Sequence, residues 1–185
     1  QGLTFTWQDQ KSKSYRSFDK EKIEKIIKES EGKDGEIIEV RKSPKKNYAP
    51  LLYDLTELQR DANKRFGFSA KETLNIMQRL YENHKVLTYP RTDSRYVSTD
   101  IIPTMTDRLQ ACGTGPYRKL ALTAMKQEVN AKSAFVNNAR VTDHHAIIPT
   151  EQFVQLDHMT NEERKIYDLV VRRFLAVLFP PFEYE

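Results

Sequence analysis

The sequence predicts an α+β fold, predominantly helical, in which a helical domain is inserted into a partial β-rich one. Apolar residues alternate at both ends of the chain, at Leu3, Phe5 and Trp7 and again at Phe182 and Tyr184. Between the ends the apolar period changes from two to three and four, which is the change from strand to helix. Capping patterns mark the helix starts at Ser69-Ala70-Lys71-Glu72 and Thr160-Asn161-Glu162-Glu163. The expected division is a β-rich segment over residues 1–47, a helical domain over 48–178, and a return strand over 179–185.

Taken in order, residues 3–8 read as a half-buried strand, and residues 14–18 as its hairpin partner. Residues 19–30 read as a helix with Ile23, Ile26 and Ile27 as its apolar stripe, stopped by Gly32. Its mixed Lys and Glu face is a solvated surface. Residues 36–42 alternate again around Ile38 and Val40. Lys42, Lys45 and Lys46 around Pro44 read as a basic linker. A helix then starts at Asp54, carries Leu55, Leu58, Ala62 and Phe66 on one face, and ends at Gly67. The next helix opens at Ser69, carries Leu74, Met77, Leu80 and Tyr81, and stops near Asn83 and His84. His84 is either a proton carrier or a helix-end residue favoured by the dipole.

Ser98 offers an N-cap, with Pro103 in the first turn and Gly113 as the stop. Ile102, Met105 and Leu109 face the core of that helix. Another starts at Gly115-Pro116 with Leu120, Ala124 and Val129 inward. Residues 130–142 lack periodicity and read as a long loop, in which Lys132, Asn137, Asn138 and Arg140 are candidates for phosphate or base contacts. The last helix follows Thr160, with Ile166, Tyr167, Val170, Phe174, Leu175 and Leu178 as a wide apolar face. Pro180-Pro181 ends it. The two β-patterned ends would then be free to join one sheet.

Composition bounds the function. No apolar run is long enough to span a membrane. The single cysteine, Cys112, excludes an internal disulfide or a Cys-based zinc site and suits a reducing cytoplasm. The net charge of +4 permits nucleic-acid binding without dictating it. The start at Gln1 and the stop inside a strand pattern suggest an excised fragment.

The chemistry concentrates in Tyr89-Pro90-Arg91-Thr92-Asp93-Ser94-Arg95-Tyr96. Pro90 forbids a helix interior and pushes Tyr89 toward an extended backbone. In an extended run Tyr89, Arg91, Asp93 and Arg95 share one face, with Thr92 and Ser94 opposite. A phenol is a poor nucleophile at its ordinary pKa of about 10. A guanidinium beside it both favours the phenolate and grips a phosphate through paired N–H groups. Such a pair suits attack on a phosphodiester, and the bland alternative is a Tyr-Pro turn with a surface ion pair.

This stretch resembles the active-site tyrosine motif of type IA DNA topoisomerases, the bacterial topoisomerase III branch in particular. Asp143-His144-His145-Ala146-Ile147-Ile148-Pro149-Thr150 is similar to the histidine motif that follows the tyrosine in that family. The resemblance implies Tyr89 as the nucleophile, Arg91 as its electrostatic partner, and His144 at the scissile phosphate. Thr92, Asp93, Ser94 and Arg95 are the implied DNA contacts; the alternatives are backbone hydrogen bonds for Thr92 and Ser94, and for Asp93 the orienting of Arg91 or Arg95. The role of His145 stays open. Adjacent histidines point apart and make a poor metal pair.

The resemblance further implies cleavage and rejoining of single-stranded DNA through a 5′-phosphotyrosine, with strand passage through the gap. In that family magnesium is bound by a separate acidic Toprim domain, which nothing here resembles. No metal or other cofactor is therefore expected in this fragment, and alone it is expected to be incompetent. Residues 1–47 and 179–185 would belong to the β-rich arch. The implied partners are single-stranded DNA and the remaining domains of a parent enzyme, with no membrane, in a bacterial cytoplasm at the nucleoid. The alternatives are a non-catalytic module that binds single strands and a structural domain with no nucleic-acid role.

Overall fold

The computed structural model describes residues 4–37 and 39–185. The chain separates into two compact units, Gln1–Ser43 and Pro44–Glu185.

The first unit is built around one helix, α1 (Lys20–Ser30), whose N-cap Asp19 accepts from the Lys22 N–H. Such a cap contributes about 1 kcal/mol. Gly32 follows with φ of +69°, a left-handed conformation that glycine adopts without steric cost. Ile23 and Ile26 are half-buried, and Ile27 is exposed. The strands expected at residues 3–8, 14–18 and 36–42 do not form among the described residues; Leu3 and Ile38 lie outside them. Phe5, Ile37 and Val40 are instead 82%, 82% and 74% exposed. An alternating pattern makes a strand only when a partner takes up its N–H and C=O groups. The chain reverses at Asp9, whose carboxylate accepts from the Lys11 and Ser12 N–H groups and pairs with Lys22 at 2.8 Å.

The second unit opens and closes in one small sheet. Strand β1 (Lys45–Asn47) pairs antiparallel with β2 (Phe182–Tyr184), in the register Lys45 with Tyr184 and Asn47 with Phe182. The basic stretch expected as a linker is therefore itself a strand, and Lys46 pairs with Glu183 at 2.7 Å. The returning end of the chain thus pairs with Lys45–Asn47, and the sheet expected to join the two alternating ends of the sequence does not form among the described residues.

Between the strands lie five helices: α2 (Leu55–Phe66), α3 (Ala70–Glu82), α4 (Met105–Cys112), α5 (Arg118–Ala124) and α6 (Asn161–Ala176). The local signals act as expected. Asp54 caps α2 by accepting from the Glu57 N–H, and Gly67 ends it at φ of +74°. Ser69 and Glu72 close a reciprocal capping box on α3, as Thr160 and Glu163 do on α6. Single-turn 3₁₀ helices at Gly115–Tyr117 and a longer one at Thr99–Thr104 lead into α5 and α4, the latter carrying Pro103.

Helix α6 is the hub of the core and packs on α2, α3 and α5. Ile166, Tyr167, Val170, Phe174 and Leu175 are buried along it, as the sequence pattern required. Leu120 corrects the sequence reading. It is 44% exposed, while Tyr117, Ala121 and Ala124 supply the inward face of this region. The cause is the 3₁₀ entry to α5, where a tighter turn shifts which residues face inward. Cys112 is buried at the end of α4, and desolvation pushes its thiol up to about 12.

Two polar clusters tie α6 to its neighbours. Arg173 donates to Asp61 at 2.9 Å, to the Tyr53 hydroxyl at 3.0 Å and to the Leu51 carbonyl at 3.0 Å, and its guanidinium lies 4.0 Å from the Tyr53 ring centre. Tyr53 in turn donates to Asp61. Glu163 is buried at the start of α6 and receives Arg79 at 2.8 Å and His84 at 3.3 Å. His84 is thus the partner of a buried carboxylate below the tyrosine loop, and its place is structural. Among the described residues no helix is long and apolar enough to cross a membrane.

Candidate active site

The two motifs of the sequence meet on one edge of the second unit. Helix α3 closes with the Val86 N–H donating to the Leu80 carbonyl. Lys85 takes the left-handed region at φ of +56° and turns the chain outward. The residues around Tyr89 then run beside the histidine segment. Leu87 bridges Pro149, the Thr88 N–H donates to Ile148, and the Thr150 N–H donates to Val86.

Threonines fasten this pairing on both sides of the tyrosine. The Thr88 hydroxyl donates to the Ala146 carbonyl at 3.2 Å and accepts from the Ile148 N–H at 3.0 Å. The Thr92 hydroxyl donates to the His144 carbonyl at 3.0 Å and accepts from the Ser94 N–H at 3.1 Å. Farther along, the Ala146 N–H donates to Tyr96 and the Ile147 N–H to Tyr53.

This backbone brings Tyr89 against His144, with ring centres 4.4 Å apart and planes at 41°. The Tyr81 ring, from the last turn of α3, meets Tyr89 edge-on at 5.5 Å and 79°. Such ring contacts are worth about 1 kcal/mol each and limit the rotation of the phenol. Tyr89 is half-buried, whereas His144 is exposed.

The expected alternation is present although the run is not part of a sheet. Arg91 and Asp93 are exposed, Arg95 is half-exposed, and Thr92 and Ser94 are buried. Arg91 and Asp93 have no side-chain hydrogen bond or ion pair among the described residues, so Asp93 orients neither arginine here. Arg95 donates through Nε to the Leu52 carbonyl at 3.2 Å.

Of the two roles open to Thr92 and Ser94, the geometry favours the backbone hydrogen bond. Thr92 and Ser94 are only 8% and 5% exposed. The Ser94 hydroxyl donates to the Arg140 carbonyl at 2.8 Å, and the Thr92 hydroxyl to His144. Both are committed to internal carbonyls and set the shape of the loop. Arg140, from the long loop, lies with its guanidinium 5.4 Å from the Tyr96 ring centre. Tyr81 and Thr88 were not singled out for the site by the sequence. Tyr81 sat in the apolar stripe of its helix, and nothing local distinguishes a tyrosine that caps a ring from one that fills a core.

Among the described residues no three His, Cys, Asp or Glu side chains converge on a point where a metal ion would sit. A divalent cation therefore finds no ligand set in them.

A tyrosine held between two rings, beside an exposed arginine and a histidine from a second motif, sits on a scaffold shared with known proteins. The chain belongs to the DNA topoisomerase family, whose model matches residues 2–185. This agrees with the type IA resemblance of the two motifs. It is 61% identical over 183 residues to DNA topoisomerase 3 of Bacillus thuringiensis (strain Al Hakam), covering 99% of this chain and 25% of that protein. It is 53% identical over 184 residues to DNA topoisomerase 3 of Bacillus subtilis (strain 168), covering 100% and 25%. Among solved structures, full-length topoisomerase I of Thermotoga maritima superimposes with a TM-score of 0.58 at 27% identity, over 95% of this chain and 27% of that one. The chain thus spans about a quarter of the length of the curated relatives it matches.

Proposed function

We propose that this chain is the tyrosine-bearing part of a type IA topoisomerase, and that Tyr89 cleaves and rejoins single-stranded DNA. The Tyr89 oxygen attacks a backbone phosphorus. A Tyr89 O–P bond forms, the bond from phosphorus to the 3′ oxygen breaks, the phenol proton departs, and the 3′ oxygen takes up a proton. The strand is left with a 5′-phosphotyrosine and a 3′-hydroxyl. Attack by that hydroxyl reverses every bond change, so resealing needs no outside energy source.

The residues divide this work. Arg91, exposed and without a side-chain partner among the described residues, grips the non-bridging oxygens and stabilises the charge that develops on them. His144 touches the Tyr89 ring and donates to the same phosphate, or carries the phenol proton. Arg95 and Asp93 line the path of the strand. Thr88, Thr92 and Ser94 hold the loop. In this family magnesium is held by a Toprim domain, where it would supply charge neutralisation at the phosphate. The setting is the bacterial cytoplasm, on nucleoid DNA, with the other domains of a parent enzyme.

The observation that supports this reading best is the contact between Tyr89 and His144, because it joins the two motifs in one place. The test is covalent trapping. The chain is mixed with labelled single-stranded DNA and magnesium, with and without a Toprim-bearing piece, then denatured. The expected result is an adduct that needs the second piece and vanishes in Tyr89→Phe. No adduct with a folded, associated piece, or an adduct that survives Tyr89→Phe, would overturn the proposal.

A further inference from the structure

On the α3 side of Tyr89 lies an open cleft of about 630 Å³, lined by Tyr81, Lys85, Leu87, Tyr89, His145 and Thr150 among others. That volume is within the range of small-molecule sites, roughly 300–1,000 Å³. We propose that this cleft is a nucleobase pocket, seating one unpaired base of the strand that Tyr89 attacks. The assignment rests on the proposed function and adds to it a site where the strand's bases are read.

The contents of the cleft favour a flat, uncharged heterocycle over a phosphate. Glu82 and Lys85 contribute one charge of each sign, so the cleft has no net attraction for an anion. Its walls are aromatic. Tyr81 is 37% exposed and stands edge-on to Tyr89, leaving ring surface on which a base can stack.

His145 supplies a directional contact. Its Nδ1 lies 2.7 Å from the Ala146 carbonyl, which can only accept, so Nδ1 carries the proton in that contact. Nε2 is then an acceptor in the neutral ring, with no protein partner among the described residues. Burial lowers the His145 pKa, helped by Arg108 and His144 and opposed by the Ala146 contact and Asp100, so the ring is neutral at physiological pH. An acceptor at that point matches an N–H on the open edge of an unpaired base, whether an exocyclic amino group or a ring N–H.

The cleft is also shaped in advance. Lys85 sits at φ of +56°, an uncommon place for a residue with a side chain, and the Thr150 hydroxyl fixes it by donating to its carbonyl at 2.6 Å. The same left-handed residue ends helix α3, where the Val86 N–H reaches the Leu80 carbonyl.

The test compares two single strands of about 12 nucleotides, one bearing bases and one abasic, by fluorescence anisotropy at low salt. The chain is expected to bind the base-bearing strand roughly 10-fold more tightly, as one stacked and hydrogen-bonded base would give. Tyr81→Ala and His145→Ala are expected to bring the ratio of the two affinities to within about 3-fold, and His145→Gln, which keeps an acceptor, to restore part of it. A ratio is read because a poorly folded variant would lose both affinities together. Equal affinity of the unaltered chain for the two strands would overturn the pocket and leave the phosphate contacts of the proposed function standing. No affinity for either strand would overturn both. A ratio unchanged in Tyr81→Ala and His145→Ala would also overturn the pocket.

Discussion

Thr92→Val removes one oxygen from the place where the two motifs are fastened, and leaves the shape of the side chain nearly unchanged. Its hydroxyl donates to the His144 carbonyl at 3.0 Å and accepts from the Ser94 N–H at 3.1 Å. His144 is exposed, so water can replace the first bond, and that loss costs about 0.5–1 kcal/mol. Ser94 is buried, so its N–H is left without a partner at a cost of about 1–2 kcal/mol. The sum, about 2 kcal/mol, corresponds to a fall of roughly 4–8 °C in Tm for a domain of this size.

The assay is helical circular dichroism during thermal or urea unfolding, because five of the six α-helices among the described residues lie in the second unit. The single tryptophan, Trp7, lies in the first unit and reports on that unit instead. Thr92→Ser keeps the hydroxyl and is expected to recover most of the loss. A Thr92→Val protein within about 0.5 kcal/mol of the original would refute the reasoning, because a buried N–H is not left without a partner at so small a cost.

Two further outcomes follow from the clusters around α6. Arg173→Met removes donors from Asp61, Tyr53 and Leu51 at once and is expected to destabilise the second unit by about 2–3 kcal/mol, against less than about 1 kcal/mol for Arg172→Met at an exposed pair; equal small effects in urea melts would count against the cluster. Burial acts to raise the Glu163 pKa, but the Thr160 N–H, Arg79 and His84 outweigh it and hold the carboxyl below its usual range. A depressed folded-state pKa gives stability that is present above the unfolded value, about 4.3, and is lost as pH falls through the folded one. Unfolding midpoints measured from pH 6 downward should therefore drop below about pH 4.3, and Glu163→Gln should flatten that part of the profile; a profile identical to the parent's would show that Glu163 carries none of it.

The helices were legible because their determinants are local. A capping box spans four residues, a helix hydrogen bond spans a similar distance, and an apolar stripe repeats within one turn. Ser69 with Glu72, Thr160 with Glu163, and the buried face of α6 could all be read from such short windows. Alternation along the tyrosine motif was legible for the same reason, since Pro90 sets an extended backbone and extended residues face opposite ways.

What needed a distant partner was not legible. Residues 3–8 and 36–42 carry a strand pattern but find no partner among the described residues, whereas the basic Lys45–Asn47 finds one at the far end of the chain. Leu120 turned outward because a 3₁₀ turn entered its helix. The sequence alone singled out the residues proposed to bear the chemistry: a tyrosine, its arginines and a histidine motif. Tertiary structure alone decided that Thr92 meets His144 from 52 residues away, that Tyr81 and His144 enclose the phenol, and that Thr92 and Ser94 point inward. The physical reason is that side-chain type and local backbone are encoded by neighbours, while adjacency across the chain depends on how the helices bury their common face.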